Sequence, residues 1–289
     1  MILALGFALA AAFCSAVNAM TQHAASISAP KRGMGWRLAL YLIRHPLWLL
    51  GWAAAAGTFA FQALALPNGP ISEVQPVLVS ELVFVLVLRR IWIRQQVAAA
   101  AWASALAVCL ALAVFLIAAE PTGGRTVPEA KRWLPAGLVF GGTIAVLTAL
   151  GRVGPPRRRA AVFAAAAALT WALEATLLKT ATDTFTAFGI TGMLTRWPVY
   201  ALIAAGVAGN LLEQAALHVG PLSVSQPILV IVNPFASIIL SVWLFDERFT
   251  DNPVKITIAV LSFAALAAAV TTLTRTAPQD LIPAEPARS

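Results

Sequence analysis

The chain has 289 residues, 60% of them hydrophobic and only 11% charged, with a formal net charge of +8. So apolar a composition excludes a soluble globular domain and predicts an all-α fold, a polytopic membrane helix bundle in contact with the lipid bilayer. The basic residues sit in short clusters between apolar runs, which reads as membrane topology, so no nucleic-acid partner is expected.

Apolar runs of roughly 18 to 24 residues predict about nine transmembrane helices. They cover residues 2–22, 46–66, 70–88, 97–118, 133–150, 160–179, 198–217, 222–245 and 254–273. The run from Met1 to Met20 ends in small residues like a secretion signal. It lacks a positive leading segment and its pattern returns in the sixth span, so it is expected to stay as a membrane helix. Segment 181–195 is polar and Thr-rich and reads as a loop or a short surface helix. The tail at 276–289, with Pro278, Pro283 and Pro286, is expected to be disordered. Cys14 and Cys109 lie in apolar runs and read as small buried residues, with no disulfide or metal framework.

One stretch occurs twice. Gly69-Pro70-Ile71-Ser72-Glu73-Val74-Gln75-Pro76-Val77-Leu78-Val79 is answered, 151 residues later, by Gly220-Pro221-Leu222-Ser223-Val224-Ser225-Gln226-Pro227-Ile228-Leu229-Val230. Arg44-His45-Pro46 matches Arg196-Trp197-Pro198 at offset 152. Phe7 and its small neighbours match Phe163 and a run of alanines at offset 156, which aligns Asn18 with Glu174. Spans one to four therefore correspond to spans six to nine, with the fifth between them. An odd number of crossings separates the copies, so they lie in opposite orientation: an inverted-topology internal repeat. Residues 1–118 form the first repeat, and 133–275 the second with an extra leading span.

Proline within a helix removes one backbone hydrogen bond and frees the carbonyl four residues back. Pro76, Pro227 and Pro234 are predicted kinks, and the freed carbonyls belong to Ser72, Ser223 and Val230. Either the kinks serve a solute path, or they are packing features shared through duplication.

An outside N-terminus and a cytoplasmic C-terminus put thirteen of the twenty basic residues inside, among them Arg89, Arg90, Arg152, Arg157, Arg158 and Arg159. The location expected is the inner or plasma membrane.

Buried ionisable groups are costly in a membrane and are functional candidates by default. Four carboxylates qualify: Glu73, Glu81, Glu174 and Glu213. At 1.5 Å per residue Glu213 would lie roughly 6 Å and Glu174 roughly 21 Å from the inner ends of their spans, with Glu81 near the middle of its own. That spacing suggests a ladder of carboxylates more than one metal cage, and no metal ligand set is assigned. Glu73 reads as reaching water near a span end, and Lys179 as snorkelling. Asn210, Glu213, Gln214 and Leu217 share one face of the seventh span. Ser223, Gln226, Val230, Asn233, Ser237 and Ser241 form a stripe along the eighth, whose counterpart in the first repeat keeps Ser72 and Gln75. Such a seam either lines a path or holds helices together.

The chain resembles a known group at Tyr41-Leu42 through Pro46-Leu47-Trp48-Leu49-Leu50-Gly51-Trp52, which is similar to the start of the second helix of NIPA-type magnesium transporters. These are a nine-span branch of the drug/metabolite transporter superfamily. Trp243-Leu244-Phe245-Asp246-Glu247-Arg248-Phe249 resembles that superfamily's acidic-basic helix end, whereas the first repeat closes on Leu88-Arg89-Arg90 without the acid. The resemblance implies a secondary transporter that moves a small polar solute or a divalent cation, magnesium included, by alternating access. The alternative is an accessory or scaffolding membrane protein without transport. No cofactor is expected. No phosphate-cradling GxxxxGK[ST], no HExxH and no GxSxG is present, so an enzyme is not expected. Gly137 and Gly141 form a GxxxG pair that suggests a homodimer face.

Overall fold

A computed structural model describes residues 2–28, 46–92, 94, 96–124 and 128–276. Their regular structure is helical: α1 Ile2–Ser28, α2 Pro46–Asn68, α3 Ile71–Leu78, α4 Glu81–Ile91, α5 Ala99–Ala119, α6 Ala130–Leu150, α7 Pro156–Leu194, α8 Trp197–Val219, α9 Leu222–Phe245 and α10 Pro253–Thr276. Among the described residues, nine spans are long and apolar enough to cross a membrane, with α3 and α4 counted together as Ile71–Ile91. The chain is a multi-pass membrane protein with an all-α bundle. The segments at 29–45 and 277–289, including the Tyr41-to-His45 part of the resemblance and the expected disordered tail, lie outside the described residues.

Proline sets several helix starts. Pro46, Pro156 and Pro253 open α2, α7 and α10, and Pro198 is the second residue of α8. In a first turn proline loses nothing, since its missing N–H would have had no partner, and its fixed φ suits a helix. Two helices stop on an acidic residue in the left-handed region, Glu120 after α5 (φ 43) and Asp246 after α9 (φ 53). Gly124 passes so close to the second of these ends that a Cβ there would meet the Phe245 carbonyl.

The packing follows the small residues. Ala4, Ala8, Ala11, Ala12 and Ala16 on α1, and Ala160, Ala164, Ala167, Ala168 and Ala172 on α7, are fully buried. Without bulky side chains, neighbouring helices approach closely and gain van der Waals contact that lipid cannot supply. α1 packs along α2 as α7 packs along α8; α1 also touches α3 and α4, as α7 touches α9. α5 lies against α10, and α3 against α9. The match reaches single atoms. A Cβ on Gly69 would lie 2.6 Å from the Ala4 Cβ, and one on Gly220 would lie 2.7 Å from the Ala160 Cβ. Those pairs are related by the sequence offsets of 151 and 156.

Two ends of the bundle are thereby defined. One, the Glu247 end, gathers Ala4, Gly69, Ile71, Lys179 and Phe245. The other, the Gly220 end, gathers Gly220, Pro156 and Ala160.

Several expectations need correction. The third span is not one helix: it passes through a tight turn at Val79 and Ser80, where Val79 N–H donates to the Pro76 carbonyl and Ser80 N–H to that of Val77. The second copy, α9, runs unbroken through Pro227 and Pro234. Segment 181–195 is helix, not loop, as far as Leu194, with a break in helical geometry at Gly189 (φ 68). Its threonines explain this. Thr180, Thr182 and Thr184 donate their hydroxyls to carbonyls four residues back, so they satisfy themselves inside a helix. The part of α7 before that break, 156–188, is roughly 50 Å long at 1.5 Å per residue and projects beyond a hydrocarbon core about 30 Å thick. Cys109 is exposed, not buried.

Candidate functional site

α3 and α9 meet at the centre, and around them α1, α2, α7 and α8 leave a cavity of about 670 Å³. That lies within the ordinary range of small-molecule sites. Its wall carries most of the residues that the sequence singled out: Gln75, Glu81, Glu174, Asn210, Glu213, Gln214, Gln226, Asn233 and Pro234. The rest of the wall is Ser15, Asn18, Ala19, Ala55, Thr58, Phe59, Gln62, Leu78, Val79, Leu82, Trp171, Ala175, Leu217, Leu229 and Val230.

The wall pairs across the two halves. At offset 151, Gln75, Leu78, Val79 and Leu82 match Gln226, Leu229, Val230 and Asn233. At offset 152, Thr58 and Gln62 match Asn210 and Gln214. At offset 156, Ser15, Asn18 and Ala19 match Trp171, Glu174 and Ala175. The contents differ more than the positions do. Leu82 is matched by Asn233 and Asn18 by Glu174, so at these two pairs the second copy is the more polar.

The three carboxylates share this one cavity. The Ser15 hydroxyl reaches Glu81, and Glu213 lies near enough for its charge to act on Glu81. Trp171 Nε1 donates to Glu213 Oε2 at 3.1 Å. The indole lies over Gly209, where any Cβ would come within 3.2 Å of its ring, so glycine there makes room for the ring that fixes Glu213. Among the described residues no group of three His, Cys, Asp or Glu side chains is arranged to hold a metal ion. Among the described residues, no Lys, Arg or His lines the cavity.

The eighth-span stripe splits. Gln226, Val230 and Asn233 line the cavity, and the carbonyl freed by Pro234 belongs to Val230. Ser223 and Ser237 do not line it. Ser237 is fully buried and donates to Asn233 Oδ1 at 3.3 Å, so it positions the Asn233 amide instead of meeting a solute. Beyond Pro234 the helix enters solid packing, with Leu240, Ser241, Leu244 and Phe245 all at 0% exposure. The cavity occupies only the middle of the stripe, from Gln226 to Asn233, which is why the helical period alone overextended it. Pro76 and Pro227 are buried and outside the wall.

A second polar cluster, at the Glu247 end, was read differently in the sequence. Glu247 is 2% exposed. Its Oε1 accepts the Ile71 N–H at 2.6 Å, and its Oε2 accepts the Ser72 N–H at 3.0 Å and the Ser72 hydroxyl at 2.6 Å. A carboxylate from the end of α9 thus caps the start of α3, where unpaired N–H groups carry partial positive charge. Lys179 does not snorkel. It is buried, donates to the Leu66 carbonyl at 2.6 Å and the Gly69 carbonyl at 3.4 Å, and lies 3.7 Å from Asp183 and 5.6 Å from the centre of the Phe245 ring. Glu73 does not reach water; it is 3% exposed, and its Oε1 has no hydrogen-bond partner.

Sequence reasoning missed Trp171, Asn18, Thr58 and Gln62 as wall residues. The signal was present, since each is the repeat partner of a position in the wall.

The chain matches no family profile and no solved structure. It is similar to an uncharacterized protein of Corynebacterium glutamicum, with 29% identity over 251 residues that cover 86% of each chain.

Proposed function

We propose that the chain is a secondary transporter of the drug/metabolite transporter superfamily, residing in the inner or plasma membrane and moving a small polar solute by alternating access. The observation that carries this reading is the cavity wall, built in matched pairs from two halves of the chain. Two inverted halves meeting at a central polar site are the architecture of rocking transporters. A scaffold has no use for a hollow of this size lined by three carboxylates, whose burial costs free energy without a ligand. Magnesium as the cargo draws less support, because a divalent ion is held by carboxylates and other oxygens around one point, and among the described residues no three His, Cys, Asp or Glu side chains are so gathered.

With the N-terminus outside, as the charge distribution favours, the Glu247 end faces outward and the Gly220 end faces the cytoplasm. The open face at Gly137 and Gly141, where nothing lies within 4 Å of a Cβ, leaves room for a second copy.

The test has two parts. In a chain lacking Cys14 and Cys109, a cysteine at Gln226 should react with a membrane-impermeant thiol reagent from the cytoplasmic side, while one at Ile238 should not. Purified protein in liposomes, screened with magnesium, amino acids, sugars and amines with and without a pH gradient, should show solute-specific flux. An unreactive Gln226 position together with no flux for any solute defeats the transport reading. Reporter fusions after Arg159 and after Arg275 check the orientation; an exterior signal at either reverses it.

A further inference from the structure

We infer that the cavity takes an organic cation, an amine or guanidinium of roughly amino-acid size or larger, in preference to an anion, a neutral sugar or a bare metal ion. This rests on the transport reading above and names the solute class for the same site.

The first ground is charge. Glu81, Glu174 and Glu213 line the cavity, and among the described residues no basic side chain does. The nearest cation along the chain from Glu174 is Lys179, and it is committed elsewhere, to the Leu66 and Gly69 carbonyls and to Asp183. His218 follows the wall residue Leu217 without joining the wall. Carboxylates gathered in a membrane interior without countercharge repel one another and lose hydration. Either protons or a bound cation must neutralise them, whereas an anionic solute would add to the cost.

The second ground is shape and chemistry. Asn18, Gln62, Gln75, Asn210, Gln226 and Asn233 surround the acids with amide groups. Amide oxygens accept the several N–H bonds that an ammonium or guanidinium offers and bare metal does not. Gln75 Nε2 is buried and has no hydrogen-bond partner, a spare donor that an oxygen elsewhere on the same solute would take. Trp171 and Phe59 contribute aromatic surface, on which a cation is attracted by the ring quadrupole. The Trp171 N–H is spent on Glu213, which leaves the ring as what that side chain can offer a ligand.

The third ground is size. A hollow of about 670 Å³ far exceeds one metal ion and suits a molecule.

The experiment is equilibrium binding to the purified full chain, with agmatine, n-butylammonium, glucose, glutamate and magnesium chloride each as a separate probe. Agmatine or n-butylammonium should bind, and Glu81→Gln, Glu174→Gln and Glu213→Gln together should weaken binding by about tenfold or more, the scale of losing hydrogen bonds to a charged partner. Gln226→Lys, which leaves all three acids in place, should abolish cation binding by placing a positive charge in the wall. Glu120→Gln, outside the cavity, should bind as the unaltered chain does. Binding of glutamate or glucose but of neither cation overturns the assignment, as does magnesium binding that depends on the three acids without any organic cation binding. Binding by none of the probes overturns it too. A chain that labels at Gln226 and transports a neutral solute would sink the cation class alone; one that neither labels nor transports would sink the transport reading with it.

Discussion

The start of α3 and the start of α9 have nearly the same sequence and opposite surroundings. Residues 70–77 are all buried, whereas from Ser223 to Val230 buried and half-buried positions alternate. The first N-terminus is closed by Glu247 with three hydrogen bonds and flanked by Lys179. Neither N-cap residue, Pro70 or Pro221, caps its own helix with a side chain, so the difference lies in the acid that a distant helix end brings to the first. The position that answers Glu247 at offset 151 is Gln96, which is exposed and outside any helix. Both ends use the same glycine contact, Gly69 on Ala4 and Gly220 on Ala160. The glycine sets how near the helices come, and the carboxylate decides which end is fastened. Two related halves need such a difference, because an inverted pair in equal states would be open at both ends or at neither. In the proposed orientation the fastened end is the outer one.

Breaking the fastening should give the largest effect. Glu247→Ala leaves the Ile71 N–H, the Ser72 N–H and the Ser72 hydroxyl without a partner in the interior, and should cost about 3 kcal/mol or more of stability, at about 1–3 kcal/mol for each buried donor left unsatisfied. Thermal unfolding in detergent measures it. The same variant, with a cysteine at Gln75, should become reactive from the outer side. Unchanged stability together with unchanged reactivity would reduce the cap to an incidental contact.

Lys179→Met comes next. It releases the Leu66 and Gly69 carbonyls and leaves Asp183 buried without its cation, which should cost about 2–3 kcal/mol. The double variant Lys179→Met, Asp183→Asn should recover part of that loss, because the stranded charge is gone. A double variant less stable than either single one would show that Asp183 has another duty.

The two glycines then test whether the halves are alike. Gly69→Ala and Gly220→Ala should each cost about 1–3 kcal/mol from overpacking. Gly220→Ala should be the worse, since its Cβ would also lie 2.8 Å from the Pro156 carbonyl, which cannot turn aside. A large loss at one site and none at the other would argue against matched packing.

How much of this the sequence disclosed follows from what each feature depends on. The spans were legible because a membrane imposes length and apolarity directly. Gln75, Gln226 and Asn210 were legible because polar side chains stand out against alanine and leucine at helical spacing. Trp171 was not, because an indole in a membrane helix is unremarkable until Gly209 is seen beneath it and Glu213 beside it. The Ser72–Glu247 contact joins residues 175 apart, and local patterning carries no information on which helix ends meet. Ser237 failed in the opposite way: its register was right, but register does not show where a cavity stops.

The smallest effect is expected at Glu120, at the same end of the bundle as Glu247. Lys255 Nζ donates to Glu120 Oε1, and the two loops beside it are joined by the paired Thr122 and Arg248 backbones and by the Thr250 N–H on the Ala119 carbonyl. The hydrogen bond from Lys255 holds the Glu120 carboxyl below its ordinary value. A carboxylate whose folded pKa is depressed contributes stability above its unfolded pKa and loses it as pH falls through the folded value. Unfolding measured downward from neutral pH should therefore show a shallow Glu120-dependent loss on the acid side, absent in Glu120→Gln and weakened by salt, since both partners are exposed. The backbone pairing at Thr122 does not titrate and should hold the loops together throughout. If Glu120→Gln opened the cavity from this end as Glu247→Ala is expected to, the fastening would lie in the surface pair and not in the buried cap. Equal labelling at Gln75 in Glu120→Gln and the unaltered chain places it at Glu247.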